Sequence, residues 1–436
     1  RGNQSEIIER INSAIRNKGH IVLESPTGSG KTFCSLAAVL PVAIENNLRI
    51  VYCVRTNSQQ KQVVHELQQF RKAGHSISVV AFQGRGSLCP EQKYDKELKK
   101  SNWVEKSKIC KSLKMQSKRG EAGCRFYRKL LQGSDSLAVQ WSSDILTAEE
   151  FAEQVEAAGL CPYELNKLML KEAKVVIVPY VYFFEEFIRK FMLGRMHTSL
   201  DKVIVIVDEA HNLPDWARSA ASESLTIETI NRAVVESNKY GLQLADGRHT
   251  TFFLNLVEAS IESLSDYHIP DNDEEGLLPS HLVAPDSEVP TFETEMMSLG
   301  KMTLYNLKKD SSEIAKMGQL IRQNLLDHGK RPRSYVGSVG AFLCRWLDSM
   351  ESHSIRLVGK DPQRLETVCL DPRVMTGFLD STAGVVSMSG TISPLEMFRD
   401  QVGLRPDTIL EKQVSSFPHD NKKMFYLKDV TTSYAE

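Results

Sequence analysis

Eight cysteines in 436 residues are too few for a disulfide scaffold. The scarcity points to a reducing, intracellular compartment, cytoplasmic or nuclear, where clustered cysteines become metal-ligand candidates. Long apolar runs are lacking too. The longest, 175–184, is about ten residues and contains Pro179, whereas a membrane-spanning helix needs about 20. No apolar secretory segment opens the chain, which starts at Arg1 on a polar amphipathic pattern. Neither charge dominates: 54 Lys and Arg stand against 55 Asp and Glu, a net charge of −1. That excludes a uniformly basic nucleic-acid coat and an acidic tail protein. No internal repeat or long low-complexity tract is visible.

What is present is an ordinary soluble composition, 41% apolar and 25% charged. The length suits roughly two to four structural units. Ile7, Ile8, Ile11, Ala14 and Ile15 recur at helical spacing and predict a helix over 4–16. A strand over 21–23, a helix over 32–44, a strand over 49–54, a helix over 59–72 and a strand over 76–82 follow. That alternation predicts a parallel α/β sheet. The pattern then breaks. Residues 84–129 hold fourteen Lys and Arg against five acids, a local charge of +9, together with three of the cysteines. Buried-strand runs resume at 175–178 and 203–207, and a last one falls at 385–389. Residues 212–370 read as mostly helical. Within them 258–295 hold eleven acids and no Lys or Arg. There 271–275, with Pro270, Pro279, Pro285 and Pro290, predicts an exposed loop, either a solvated acidic surface or one that repels nucleic acid.

Ser25-Pro26-Thr27-Gly28-Ser29-Gly30-Lys31-Thr32 follows a strand and opens a helix, the context a phosphate-binding loop requires. Gly28 and Gly30 let the backbone wrap so that its N–H groups, Ser29 among them, face phosphate oxygens, and the helix N-terminus adds partial positive charge. Lys31 is expected to reach the β- and γ-phosphates of ATP and the Thr32 hydroxyl to ligate Mg²⁺. The strict pattern begins with Gly; Ser25 stands there instead. The bland alternative is a Gly-rich turn that binds nothing.

The run 203–207 leads straight into Asp208-Glu209-Ala210-His211. A strand delivering two carboxylates at its C-terminal end puts them where α/β ligands bind. Asp208 is expected to hold Mg²⁺ through water, Glu209 to act as the general base orienting the attacking water, and His211 to sense the γ-phosphate. Taken alone, the tetrapeptide also fits a polar turn after a buried strand; the phosphate loop upstream decides against that.

These two motifs together resemble superfamily 2 helicases. Arg55-Thr56-Asn57 is similar to the segment that contacts the nucleic-acid backbone in that group. Ser389-Gly390-Thr391 is similar to the element coupling hydrolysis to strand movement, and Gln4 lies where an adenine-contacting Gln is placed. The group implies ATP, Mg²⁺ and nucleic acid as ligands.

Cys89, Cys110, Cys124 and Cys161 contain no C-x-x-C pair, so a zinc ribbon is disfavoured; by spacing alone a metal site and plain packing both stay open. Their flanks, Gly84-Arg85-Gly86-Ser87-Leu88-Cys89, Cys124-Arg125-Phe126-Tyr127 and Cys161-Pro162-Tyr163, resemble the cluster-binding segments of the XPD family of DNA helicases. That resemblance implies a [4Fe–4S] cluster on the four thiols. Cys34, Cys53, Cys344 and Cys369 read as core. In the +9 segment, Arg85, Lys93, Lys111, Lys114, Arg125 and Lys129 would attract phosphate backbones. Trp103, Phe126, Tyr127 and Trp141 could stack bases, although each also fits a core. Arg85, Phe126 and Tyr127 are the chosen nucleic-acid candidates beside Arg55 and Thr56; Arg85 would otherwise bond to a cluster sulfur.

The resemblance covers nearly the whole chain. It implies a RecA-like motor domain over 1–82, 166–211 and 371–413, with an iron–sulfur insertion over 83–165 and a mainly helical arch insertion over 212–370. The insertions are implied to form a pore for single-stranded DNA in a monomeric 5′→3′ helicase that opens fork DNA and serves nucleotide excision repair with partner proteins. DinG-like branches share the motifs. A second RecA-like domain with an arginine finger is the departure: 414–436 reads as its first segment only. The chain is therefore expected to be truncated and to turn over poorly alone. The competing reading is a non-catalytic iron–sulfur module that binds single-stranded DNA; an RNA helicase is a third.

Overall fold

The computed structural model describes residues 2–142, 144–279, 289–348 and 353–414. Among them the strands are β1 (His20–Glu24), β2 (Arg49–Val54), β3 (Val79–Ala81), β4 (Val175–Pro179), β5 (Val203–Asp208), β6 (Glu223–Thr226), β7 (Glu275–Leu278), β8 (Ser354–Lys360), β9 (Gln363–Cys369), β10 (Gly384–Ser389) and β11 (Ile409–Lys412). Seven of them form a wholly parallel sheet in the order β11-β1-β10-β5-β2-β4-β3. The Val and Ile runs of β2, β4 and β5 are solvent-free because helices cover both faces of such a sheet. Helix α1 (Gly2–Arg16) buries Ile7, Ile11, Ala14 and Ile15, leaving Ile8 at the margin. Helix α2 (Lys31–Glu45) starts straight from the phosphate loop. Helix α3 (Asn57–Lys72) starts at a capping box in which Thr56 and Gln59 satisfy each other's backbone N–H groups.

Three elements differ from the sequence expectation. The strand expected over 76–82 shortens to β3, an edge strand; Ser78 and Phe82 still exchange backbone bonds with the β4 region but lie outside the ladder. Strand β11 was not foreseen: four residues with no buried apolar pair leave no period to read. Residues 212–370 are not helix alone, since β6-β9-β8-β7 form an antiparallel sheet. Strand β7 takes Glu275 out of the expected loop, while 271–274 are exposed. Of the segment 414–436 only Val414 lies within the described residues.

Two hydrophobic cores divide the molecule. One joins α1, α2 and the parallel sheet to apolar side chains of the 83–165 segment, among them Leu88, Phe126, Leu130, Phe151 and Val155. The other lies wholly between Leu225 and Leu365 and centres on Phe253, Ile314, Phe342 and Trp346. In that second unit the helices Leu304–Asp327 and Tyr335–Asp348 approach backbone to backbone. A Cβ on Gly340 would lie 2.3 Å from the Ala315 nitrogen.

Candidate nucleotide and nucleic-acid sites

The phosphate loop leaves the C-terminal end of β1. Gly28 (φ 81) and Gly30 (φ 86) adopt left-handed backbone that only glycine takes without strain. A Cβ on Gly30 would also come 2.5 Å from Gln4 Nε2. Gln4, on α1, donates to the Ser29 carbonyl at 3.0 Å, which brings its amide to the loop. Ser25 uses its hydroxyl to donate to Ser29 Oγ at 2.8 Å, so the residue that departs from the strict pattern braces the loop. Lys31 is buried and its ammonium donates to the Ser25 and Pro26 carbonyls at 3.0 and 3.4 Å. Thr32 is buried in the first turn of α2.

Asp208 ends β5 and Glu209 follows it. Burial, reinforced by the neighbouring Glu209 charge, pushes the Asp208 carboxyl up to about 6, against the pull of the Glu209 N–H and Lys31. Glu209 sits in the left-handed region (φ 48, ψ 45), which costs a non-glycine residue about 1–2 kcal/mol. Tyr180, which directly follows β4, stabilises that turn: its buried hydroxyl donates to the carbonyls of Asp208 and Glu209, the latter at 3.2 Å. No sequence motif marked Tyr180.

Strand β10 lies between β1 and β5, so Ser389-Gly390-Thr391 is placed between the two motifs. Ser389 accepts the Ser25 N–H at its carbonyl (2.9 Å), and its hydroxyl donates to Glu209 Oε2 (3.2 Å) and meets His211 Nδ1 at 2.5 Å. A Cβ on Gly390 would lie 3.3 Å from Thr27 Oγ1. Arg55 and Thr56 follow β2 on the same edge of the sheet. Arg55 is exposed, and its Nη1 donates to Asn212 Oδ1 at 2.8 Å.

The four cysteines of the 83–165 segment are free thiols. Cys89, Cys124 and Cys161 are each the N-cap of a short helix. Backbone N–H groups of Gln92 and Glu91, of Tyr127 and Phe126, and of Glu164 point at the respective sulfurs. Burial pushes the Cys89 thiol up to about 12 and Cys124 to about 11, and raises Cys161 as well; the Cys110 sulfur adds to the rise in all three. Cys110 within electrostatic reach of the other three sulfurs, and N–H donors at those three, fit a thiolate-bound group in their donor chemistry. Among the described residues, however, no three His, Cys, Asp or Glu side chains close around one metal position. Cys34, Cys53 and Cys369 are buried and Cys344 is half-buried.

Two nucleic-acid candidates are enclosed in this arrangement. Phe126 is 7% exposed and belongs to the core shared with the parallel sheet. Arg85 turns inward: its guanidinium donates to Ser107 Oγ, bonds to Cys110 and lies 4.3 Å from the Tyr163 ring centroid. Tyr127 is half-buried, with the Lys114 ammonium over its ring. Trp103, by contrast, is 74% exposed and Trp141 half-buried against Phe151. Trp103 opens the basic helix Trp103–Lys118, which runs beside the helix Leu304–Asp327. Two cavities of about 710 and 630 Å³ lie along that seam and share Lys108 and Arg322. Arg333 and Arg345 line the first, Lys111 and Arg119 the second. Burial and Arg322 push Lys108 down. Glu105 closes one end of the seam by pairing with both Arg331 and Arg333.

A parallel sheet carrying a phosphate loop after β1, an acidic pair after β5 and Ser389 between them has the layout of a RecA-like nucleotide-binding domain. Residues 52–230 match the family described as DEAD_2, and residues 254–436 match the helical and beta-bridge domain. The regulator of telomere elongation helicase 1 homolog of Arabidopsis thaliana is 25% identical, aligned over 92% of this chain and 42% of its own length. The Caenorhabditis elegans homolog is 28% identical over 57% of this chain and 27% of its own. The chain thus spans less than half the length of these curated relatives. A solved XPD helicase superposes with a TM-score of 0.59 at 20% identity, covering 94% of this chain and 62% of that one. A truncated XPD gives 0.57 at 20% identity, over 93% and 99%. The chain thus pairs a DEAD_2 region with a helical and beta-bridge domain, is similar in sequence to these helicases, and shares the fold of the solved XPD structures.

Proposed function

We propose that the chain carries the ATP-hydrolysing motor of a DNA helicase that translocates 5′→3′ on single-stranded DNA and unwinds fork DNA. The observation that carries this reading is the meeting of the phosphate loop, the acidic pair and Ser389 at one edge of the parallel sheet. Lys31 would leave the Ser25 and Pro26 carbonyls for the β- and γ-phosphates, and Gln4 would face the base. Thr32 and Asp208 would hold Mg²⁺, which when bound neutralises phosphate charge. Glu209 would orient the attacking water. The cationic seam between the basic helix and the arch suits a phosphate backbone, and exposed Trp103 suits base stacking. Cys89, Cys110, Cys124 and Cys161 would hold a [4Fe–4S] cluster in a structural role; their aligned N–H donors support thiolates there.

Excision repair is the pathway the XPD resemblance implies. The names of the curated relatives favour a second reading, a helicase acting in telomere maintenance. The test measures Mg·ATP binding and hydrolysis by this chain with and without single-stranded DNA, with RNA as a comparison. Mg·nucleotide binding that Lys31→Ala abolishes, with DNA affinity within about threefold of wild type, is the expected result. DNA binding with no nucleotide affinity in the wild type would instead make the chain a non-catalytic DNA-binding module.

A further inference from the structure

We propose that Asn212 couples nucleic-acid engagement at Arg55 to the Glu209 carboxylate, by setting which nitrogen of His211 carries the proton. The inference rests on the functional reading of Arg55 and Glu209 above and adds a positioning residue to it. Four hydrogen bonds form one directed chain, and a fifth branches from it to a backbone carbonyl. Arg55 Nη1 donates to Asn212 Oδ1 at 2.8 Å. The Asn212 amide N–H group donates to the Glu209 carbonyl at 3.1 Å and meets His211 Nε2 at 2.9 Å. Because that amide nitrogen can only donate, Nε2 is the acceptor and Nδ1 carries the hydrogen. Nδ1 then donates to Ser389 Oγ at 2.5 Å, with Glu209 Oε2 at 3.3 Å, and Ser389 donates to Glu209 Oε2 at 3.2 Å. Along the series of four, every donor points from the nucleic-acid edge toward the carboxylate, an arrangement in which each bond polarises the next.

Arg55 fixes the sense of the chain. Turning the Asn212 amide over would set its NH₂ against the guanidinium and its oxygen against the Nε2 lone pair and the Glu209 carbonyl. Among the described residues Arg55 has no carboxylate partner; its only side-chain bond is to this neutral oxygen. A phosphate, which forms a charge-assisted bond roughly twice as strong, would draw it away. The amide then loses the group that orients it, His211 loses the donor that fixes its tautomer, and the hold of Ser389 and His211 on Glu209 loosens. In the resting arrangement those two groups occupy the carboxylate oxygen that would receive the attacking water. The expected sign is therefore positive: DNA and Mg·nucleotide favour the same loosened state, each strengthening the other's binding.

The experiment measures the affinity of labelled single-stranded DNA for the chain with and without a non-hydrolysable Mg·ATP analogue. Wild type is expected to bind DNA about tenfold tighter with nucleotide, within the usual range of such couplings. In Asn212→Ala the ratio should fall below about twofold. Asn212→Asp keeps an acceptor for Arg55 but has no N–H for His211, and should lose the coupling equally while weakening DNA binding by tying Arg55 down. The double variant Arg55→Ala/Asn212→Ala should show no further loss. Full coupling in Asn212→Ala overturns the proposal, and full coupling in Asn212→Asp overturns its His211 step. If wild type binds both ligands with a ratio of one, the coupling alone fails; if it binds neither, the proposed function fails and the coupling with it.

Discussion

Glu24, the last residue of β1, shows how a single side chain ties the candidate site to the sheet edge. Burial by itself would raise its carboxyl. The Lys412 ammonium, the Ser393 hydroxyl and the N–H groups of Ile392 and Ser393 outweigh that and hold it at about 2. A carboxyl held below its unfolded value contributes stability above about pH 4.5 and loses it as the pH falls toward 2. Glu24→Gln should therefore cost about 1–2 kcal/mol at neutral pH and flatten the acid limb of the stability curve between those values; urea titrations at pH 7, 4.5 and 3 would check it. An unchanged acid limb would mean that Glu24 is not a principal titrating group. Residues of this kind resist reading from sequence. Lys31, Asp208 and Glu209 could be singled out because contiguous motifs name them. Glu24 and Tyr180 act on partners brought together only by folding, from as far apart as β1 and β11, and Asn212 meets Arg55 in the same way. The burial of Phe126 is hidden for the same reason: an aromatic beside a cysteine looks alike whether it faces a base or a core.

At the scale of elements, strands with long apolar runs and helices with clear caps were legible, and short or edge elements were not. The arch illustrates the difference. Strands β8 and β9 pair around a short turn, yet their burial follows no clean alternation, and neighbouring helical periodicity dominates the segment. The helix pair at Gly318, Gly337 and Gly340 owes its closeness to the missing side chains. Gly340→Ala would drive a methyl into the backbone at Ala315, which cannot yield as a flexible side chain would. A loss of about 1–3 kcal/mol is expected, confined to the arch. Hydrogen exchange should accelerate in the helices Leu304–Asp327 and Tyr335–Asp348 while β1, β2 and β5 keep wild-type protection; uniform acceleration would contradict separate cores.

At the scale of the whole molecule, Glu105 performs two tasks. As the third residue of the helix Trp103–Lys118 it completes a capping box with Asn102, and its buried carboxylate also pairs with Arg331 and Arg333 across the seam. Glu105→Gln preserves the cap but removes the charge. It should weaken the contact between basic helix and arch by about 1–3 kcal/mol. Faster proteolysis around Arg331 with unchanged helix content would register that loss; unchanged cleavage would mean that the apolar contacts alone hold the seam. Calorimetry should resolve two unfolding steps, one for the core between Leu225 and Leu365 and one shared by the sheet and the 83–165 segment. That shared core makes the two insertions unequal as parts. The arch could be excised or transplanted with its own interior intact. Removing the cysteine-bearing segment would instead strip the motor of side chains it needs to stay dry, so oxidative damage to those thiols would reach the sheet as lost packing before it appeared as lost chemistry.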